Sequence, residues 1–298
     1  MATSLTDFSN GLTAAVEKAG TSTVLVDARK RYPASGIALA EDLVLTAAHV
    51  VTREDGIKVV LADGKSLDAT IAGRDPGSDL AVLRLPEKVL TPAKTSEAVK
   101  VGQLVLALGR PNSAGIQASW GIVTAISGPT RTFRGGMLDE FLQSETTPYP
   151  GFSGGPLINS DGEVLGLNTS GLTRGSSLTI PVKVAWRTGD ALAKHGSVKR
   201  GYLGVRTQPV ELPEAGRQAL KREQSQGLLV LWLEEGGPAE TGGLLVGDIL
   251  VAISGQPVGD ADDLFSALSG DTVGKSIAVE VLRGGRPETV ALTAGERK

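Results

Sequence analysis

At 298 residues with a formal net charge of −3, the chain has room for two domains of roughly 100–200 residues, each with a core of its own. Its 30 Lys and Arg are scattered among 33 Asp and Glu, which excludes the basic stripe of a nucleic-acid binder and the basic patch of a protein lying on anionic lipid; a protein or peptide partner fits better. With no cysteine, disulfides, thiol chemistry and Cys-based zinc are excluded; with two histidines a His-built metal site is not expected, nor is a cofactor.

The opening Met1-Ala2-Thr3-Ser4-Leu5-Thr6-Asp7-Phe8 has neither the basic start nor the continuous apolar core of a secretory signal. No window approaches the roughly 18–20 apolar residues that cross a bilayer. The expectation is a soluble protein without a membrane span, cytoplasmic as written; a trimmed signal would instead place it in the periplasm or another extracytoplasmic space. Residues 1–20 read as an amphipathic helix, with Leu5, Phe8, Leu12, Ala15, Val16 and Ala19 at helical spacing, Ser4-x-x-Asp7 able to cap its start and Gly20 at its end. Two uses of that apolar stripe stay open: packing on its own domain, or contact between copies of the chain.

From Thr21 to about Thr179 short β segments recur every 8–12 residues between Gly, Pro, Asp and Asn, the pattern of an all-β sandwich or barrel. Thr23–Val26, Gly36–Ala40, Val44–Thr46, Ile57–Leu61, Ala69–Ala72, Leu80–Leu85 and Leu104–Gly109 form a first group. Gly121–Ile126, Phe141–Gln143, Pro156–Ile158, Val164–Thr169 and Leu178–Pro181 form a second. Pro181 then opens a helix that ends at Lys194, His195 and Gly196; His195 reads as a cation at the negative helix end or as merely exposed. Gly196 to Gly201 reads as a linker. Beyond it come Tyr202-Leu203-Gly204-Val205, a polar stretch, a strand at Leu228–Leu233, a hairpin signal at Val246–Gly255, a helix capped by Asp260 and carrying Leu264, Phe265 and Leu268, and two final strands.

Between two strand-like segments lies Pro150-Gly151-Phe152-Ser153-Gly154-Gly155-Pro156. So much Gly and Pro makes a tight loop that exposes the Ser153 hydroxyl and the loop's own N–H groups. Acyl transfer needs both, a nucleophile and donors for the oxyanion. A serine also needs a base and an orienting acid. His49 ends the strand-like run Leu43-Val44-Leu45-Thr46-Ala47-Ala48, and Asp79 precedes the apolar strand Leu80-Ala81-Val82-Leu83. Taken alone, Ser153 is also the ordinary serine of a Gly-rich turn, and Asp79 an ordinary turn aspartate after Asp75-Pro76-Gly77-Ser78.

Thr46-Ala47-Ala48-His49, Ser78-Asp79-Leu80-Ala81-Val82-Leu83 and Gly151-Phe152-Ser153-Gly154-Gly155-Pro156 resemble, in order and spacing, the motifs of HtrA/DegP-type serine proteases, and the likeness runs from about Gly36 to the C-terminus. The resemblance implies a mainly β fold: two six-stranded antiparallel β-barrels of the chymotrypsin type over residues 21–196, with the site between them, and a C-terminal PDZ domain over 201–298. It implies a serine endopeptidase acting on unfolded or damaged proteins, with Ser153 as nucleophile, His49 as general base, Asp79 orienting it, and the N–H groups of Gly151 and Ser153 as oxyanion hole. It implies a substrate pocket lined by Thr147, Leu167, Asn168, Thr169 and Ser170, without the acidic residue that trypsin-like members carry at the position of Thr147. Arg131, Arg134 and Asp139 correspond to the family's regulatory loop, or are an ordinary solvated loop.

At residue 152 the sequence departs from the family, whose members usually carry Asn there, and Phe152 cannot accept a hydrogen bond. In the PDZ domain the resemblance implies that Tyr202, Leu203, Gly204 and Val205 bind the free C-terminus of a peptide, with Leu264 and Leu268 receiving its apolar last side chain. The family's N-terminal segment contributes to a trimer, so a homotrimer or a multiple of one is implied. The alternative function is a chaperone-like or peptide-binding assembly whose protease site is silent or vestigial.

Overall fold

In the computed structural model, which describes residues 4–132, 137–138, 140–172, 178–198, 201–268 and 272–296, the chain divides into two units, Met1–Val198 and Lys199–Lys298. Arg134 and Asp139 lie outside the described residues. The first unit begins with α1 (Leu5–Gly20), whose start is closed by reciprocal bonds: the Asp7 N–H donates to Ser4 Oγ at 3.0 Å and the Ser4 N–H to Asp7 Oδ2 at 3.1 Å. Ala15, Ala19, Leu12 and Val16 turn toward the core, whereas Leu5 and Phe8 are exposed.

Six strands follow: β1 (Thr23–Asp27), β2 (Ala34–Ala40), β3 (Leu43–Ala47), β4 (Ile57–Val60), β5 (Ser66–Asp75) and β6 (Leu80–Arg84). They close into an antiparallel barrel in the order β1-β2-β3-β6-β5-β4. A second set comprises β7 (Leu104–Gly109), β8 (Gln117–Ser127), a two-stranded ribbon of β9 (Thr130–Arg131) and β10 (Met137–Leu138), then β11 (Phe141–Ser144), β12 (Pro156–Ile158), β13 (Val164–Thr169) and β14 (Leu178–Pro181). Apart from the ribbon, these close in the order β11-β14-β13-β12-β7-β8. The fold is thus mainly β, with two closed six-stranded barrels. The sequence grouping placed Leu104–Gly109 with the first barrel; the structure corrects this. That strand pairs with β8, Leu104 opposite Ile122 through Gly109 opposite Gln117, and with β12, because it forms a hairpin with the strand after it and the first barrel is already closed without it.

Alternation along β7 joins the two halves of this unit. Val105 and Ala107 point into the second barrel with Val123, Leu142, Phe152, Leu157 and Leu165. Leu106 and Leu108 point the other way, into a larger cluster continuous with the first barrel. Helix α2 (Val182–His195) packs back over β5, β6 and β13, and Gly196 ends it at φ +75°.

The second unit contains β15 (Gly201–Tyr202), β16 (Val205–Glu211), α3 (Glu214–Leu220), β17 (Gln226–Leu233), α4 (Pro238–Thr241), β18 (Ile249–Ile253), β19 (Gln256–Pro257), α5 (Ala261–Ala267), β20 (Ser276–Arg283), β21 (Arg286–Thr293) and β22 (Gly295–Glu296). The sheet runs β16-β17-β18-β20-β21, with β19 added to β18 and β15 paired to β22. Leu203, Leu228, Val230, Leu250, Leu264, Leu268 and Val279 share its core. Strand β16 pairs only with β17 and so lies at the sheet edge.

Candidate active site

Strand β3 ends at Ala47 and the chain turns through one 3-10 turn, Ala48–Val50, which presents His49 at the barrel rim. Asp79 sits at the end of the turn before β6 with φ +55°, a left-handed conformation that Asp tolerates better than most residues. That turn is braced by Asp75, whose carboxylate accepts the N–H groups of Gly77 at 3.2 Å and Ser78 at 3.0 Å. Register between β3 and β6 sets Ala47 opposite Leu80, so His49, two residues past Ala47, and Asp79, one before Leu80, are brought together. His49 Nδ1 lies 2.8 Å from Asp79 Oδ2, and the His49 N–H donates to Asp79 Oδ1 at 2.8 Å. The Asp79 side chain is fully buried while His49 keeps 16 % of its side chain exposed. A buried carboxylate facing Nδ1 places the ring proton there and leaves the Nε2 lone pair free for a proton.

Thr169 completes the carboxylate's surroundings. Its hydroxyl donates to Asp79 Oδ2, and the Gly171 N–H in turn donates to Thr169 Oγ1 at 3.0 Å. A Cβ on Gly171 would lie 2.4 Å from Asp79 Oδ2 and 2.5 Å from His49 Nδ1, so a side chain there would break the pair.

Ser153 lies in the loop between β11 and β12. Its hydroxyl is hydrogen-bonded to Ser170 Oγ at 3.2 Å rather than to His49. Gly151 has φ +87°, and its Cβ position is filled by Pro111 Cβ at 2.4 Å, so only glycine fits. The N–H groups of Phe152, Gly154 and Gly155 are taken by the carbonyls of Tyr149, Asn168 and Phe152. Among the described residues, the N–H groups of Gly151 and Ser153 have no acceptor. Two unpaired amides beside one hydroxyl are the donor set that an oxyanion requires.

Phe152 answers how this loop is held without a polar residue at that position. Its side chain is 2 % exposed, inserted among Val105, Ala107, Val123, Leu142, Leu157 and Leu165, with Tyr149 packed edge-on at 5.4 Å between ring centroids. Hydrophobic burial of this side chain anchors the loop to the second barrel.

His49 and Ser153 line a cleft of about 540 Å³ together with Ser144, Thr146, Tyr149, Asn168, Ser170 and Leu178, with Arg29 and Tyr32 also on its wall. Of the expected pocket residues, Asn168 and Ser170 face the cleft; Thr147, Leu167 and Thr169 do not. Leu167 is fully buried in the core, and Thr169 is turned to Asp79 by strand alternation about Asn168. Thr147 is exposed with its N–H on Ser119 Oγ at 2.7 Å, and Thr146 takes the lining place. Among the described residues the cleft has no carboxylate, and Arg29 is its one fixed charge. The sequence reading missed Thr146, Ser144 and Leu178, which carry no motif, and Arg29 and Tyr32, which reach the cleft from the first barrel.

In the second unit, Tyr202 pairs with Gly295, Leu203 is buried, and Gly204 has φ +75° with its carbonyl accepting the Glu234 N–H at 2.8 Å. Among the described residues, the N–H groups of Leu203 and Gly204 have no acceptor. Val205 starts the edge strand β16. Leu264 and Leu268 are 7 % and 6 % exposed, in one apolar cluster with Leu203.

Comparison with known proteins bears on both units. Residues 34–167 match the trypsin-like peptidase domain family and residues 201–293 the PDZ domain family. The chain is 38 % identical over 276 residues to a probable periplasmic serine endoprotease DegP-like of Halomonas elongata, covering 90 % of this chain and 57 % of that protein. It is 36 % identical over 276 residues to the DegP-like protein of Rhizobium meliloti, covering 54 % of it, so the chain spans little more than half the length of these curated relatives. Among solved structures, the HtrA-type protease AlgW with decapeptide superposes with a TM-score of 0.80 at 27 % identity, covering 96 % of this chain and 99 % of that one. The serine endoprotease from Yersinia pestis superposes with a TM-score of 0.78 at 28 % identity.

The relatives overturn the cytoplasmic expectation, since they are named periplasmic. Residues 5–20 build a structural helix, so the lack of a basic, apolar leader within them carries no information on compartment.

Proposed function

The chain belongs to the HtrA/DegP-type serine proteases, a trypsin-like peptidase domain followed by a PDZ domain, and from that premise we propose that it is a periplasmic serine endopeptidase cleaving unfolded or damaged proteins. Ser153 Oγ attacks the scissile carbonyl as His49 Nε2 takes its proton, which needs the hydroxyl to turn from Ser170 toward the imidazole. Asp79 stabilises the imidazolium, held ready by Thr169 and the His49 N–H. The oxyanion receives the N–H groups of Gly151 and Ser153. His49 then returns the proton to the leaving amine, and water hydrolyses the acyl-enzyme by the same route in reverse roles. The observation that carries this reading is the 2.8 Å His49–Asp79 pair in a cleft shared with Ser153.

On the same reading the second unit binds the free C-terminus of a protein or peptide. The unpaired N–H groups of Leu203 and Gly204 face the carboxylate, Tyr202 flanks them, Val205 opens an edge that accepts an added strand, and Leu264 and Leu268 floor the site of an apolar last residue. Leu5 and Phe8, 83 % and 43 % exposed on α1, supply a contact between copies of the chain, in keeping with a trimer.

The test is labelling with a fluorophosphonate followed by casein digestion. Ser153→Ala and His49→Ala should each lose labelling and cleavage with unfolding temperature kept, because loss of a triad member costs orders of magnitude in rate. Cleavage by Ser153→Ala at the rate of the unaltered protein would end the proposal.

A further inference from the structure

We propose that Ser35, on β2 of the first barrel, is the positioning residue that keeps the oxyanion hole formed; this rests on the protease reading of the site. Ser35 is fully buried, yet its polar atoms turn to the 151–155 loop and the strands framing it. Its hydroxyl donates to the Gly151 carbonyl at 2.7 Å and accepts the Arg110 N–H at 2.8 Å. Its N–H donates to the Ser153 carbonyl at 3.2 Å. Its own carbonyl accepts the Thr46 hydroxyl at 2.7 Å, from the strand that leads to His49.

The geometry explains why this matters for the two catalytic amides. The Gly151 carbonyl belongs to the peptide that follows Gly151, and the Gly151 N–H to the peptide before it. A glycine at φ +87° can turn either plane at little steric cost, so nothing in the residue itself holds the N–H toward the cleft. Pinning the following carbonyl to Ser35 fixes one plane, and Pro111 and the Pro33 carbonyl, 2.4 Å and 3.0 Å from the Cβ position, limit the other. The bond from the Ser35 N–H fixes the far end of the loop at Ser153. Ser35 is itself fixed through Arg110, whose Nε donates to the Thr23 carbonyl at 2.9 Å and whose Nη2 donates to the Gly20 carbonyl at 3.2 Å. Phe152 holds the same loop from the second barrel. The donors are therefore set before substrate arrives, which is what makes an oxyanion hole effective.

Packing alone does not need this hydroxyl. Backbone already fills the space beside Ser35, since a Cβ on Gly154 would lie 2.1 Å from the Ser35 carbonyl oxygen. Ser35→Ala keeps that packing and removes only the link to Gly151 and Arg110.

The experiment compares the unaltered protein with Ser35→Ala and Ser35→Cys, the near-isostere with a weak donor that carries the test if the alanine variant does not fold. Steady-state cleavage of a peptide substrate is measured alongside NMR titration of the adduct with a peptidyl trifluoromethyl ketone labelled with carbon-13 at the ketone. Expected for Ser35→Ala is a fall in kcat of about tenfold to a hundredfold with KM within about twofold, and a hemiketal pKa raised by about one unit or more. A merely structural role would lower unfolding temperature without moving that pKa. Unchanged kcat and hemiketal pKa in both variants would overturn the role of Ser35 while leaving the protease reading intact. No adduct and no turnover in the unaltered protein would overturn the protease reading, and the role of Ser35 with it.

Discussion

Phe152 rests directly on Gly109: a Cβ on that glycine would lie 2.5 Å from Phe152 Cδ1 and 2.9 Å from Cε1. The aromatic anchor of the loop that carries Ser153 thus depends on a missing side chain in β7. Phe152→Ala should lower the unfolding free energy by about 3–5 kcal/mol and reduce kcat by loosening the donors on either side of it. Gly109→Ala should cost about 1–3 kcal/mol by overpacking. The same change in a Phe152→Leu background should cost less, because the ring it strikes is gone. Equal costs in both backgrounds, measured by urea unfolding, would show that the two residues do not couple.

Thr169 is expected to act through Asp79. Thr169→Val keeps the shape and removes the hydroxyl that donates to Asp79 Oδ2, leaving the carboxylate to His49 alone. The expected result is a fall in kcat of about tenfold with KM little changed, since a hydrogen bond to a charged group is worth about 1.5–3 kcal/mol. Thr169→Ser should restore most of the rate, and failure of that rescue would mean that the methyl group, not the hydroxyl, is what the site needs.

His49, Asp79 and Ser153 were legible in the sequence because acyl transfer demands particular residue types and three motifs fell in order at sheet edges; the structure sets His49 2.8 Å from Asp79 and lines one cleft with His49 and Ser153. It could not orient β13. Every residue from Val164 to Thr169 is buried, so no alternation of polar and apolar residues tells which side chains face the cleft, and Thr169 and Leu167 were placed there with Asn168. Leu104–Gly109 failed for a related reason: a continuous apolar run states burial but not which barrel it joins. Ser35 was silent, because a lone serine among small strand residues has no pattern until the loop it contacts is folded beside it. Helix α3 lay unseen in a polar stretch, with only Gly216 buried.

Cleavage should follow Val, Ala, Leu or Ile more often than Lys or Arg. Among the described residues the cleft has no carboxylate, and Arg29 lies on its wall, so a basic side chain would lose its hydration and meet a like charge. An aliphatic side chain gains roughly 1.5–3 kcal/mol on full burial, whereas an unpaired buried cation is costly. Cut sites in casein mapped by mass spectrometry decide this, and a dominant Lys or Arg signature would refute it.

The PDZ domain should read a free carboxylate through Leu203 and Gly204. In the Ser153→Ala protein, which spares the ligand, a labelled peptide ending in Val should bind with micromolar affinity, about 8 kcal/mol. Amidation of its terminus should remove most of that, because unpaired N–H groups gain far more from a charged acceptor than from a neutral amide. Gly204→Ala should weaken binding too. Residue 204 has φ +75°, which an L side chain resists, and the new Cβ would sit 3.0 Å from the Glu234 carboxylate. Leu264→Asp places a charge in the apolar cluster shared with Leu203 and Leu268, so it should destabilise the domain as well as weaken binding, and the thermal unfolding of each variant must be followed beside its affinity. Equal affinity for acid and amide peptides in fluorescence anisotropy would mean that the carboxylate is not recognised and that the edge of β16 alone accounts for binding.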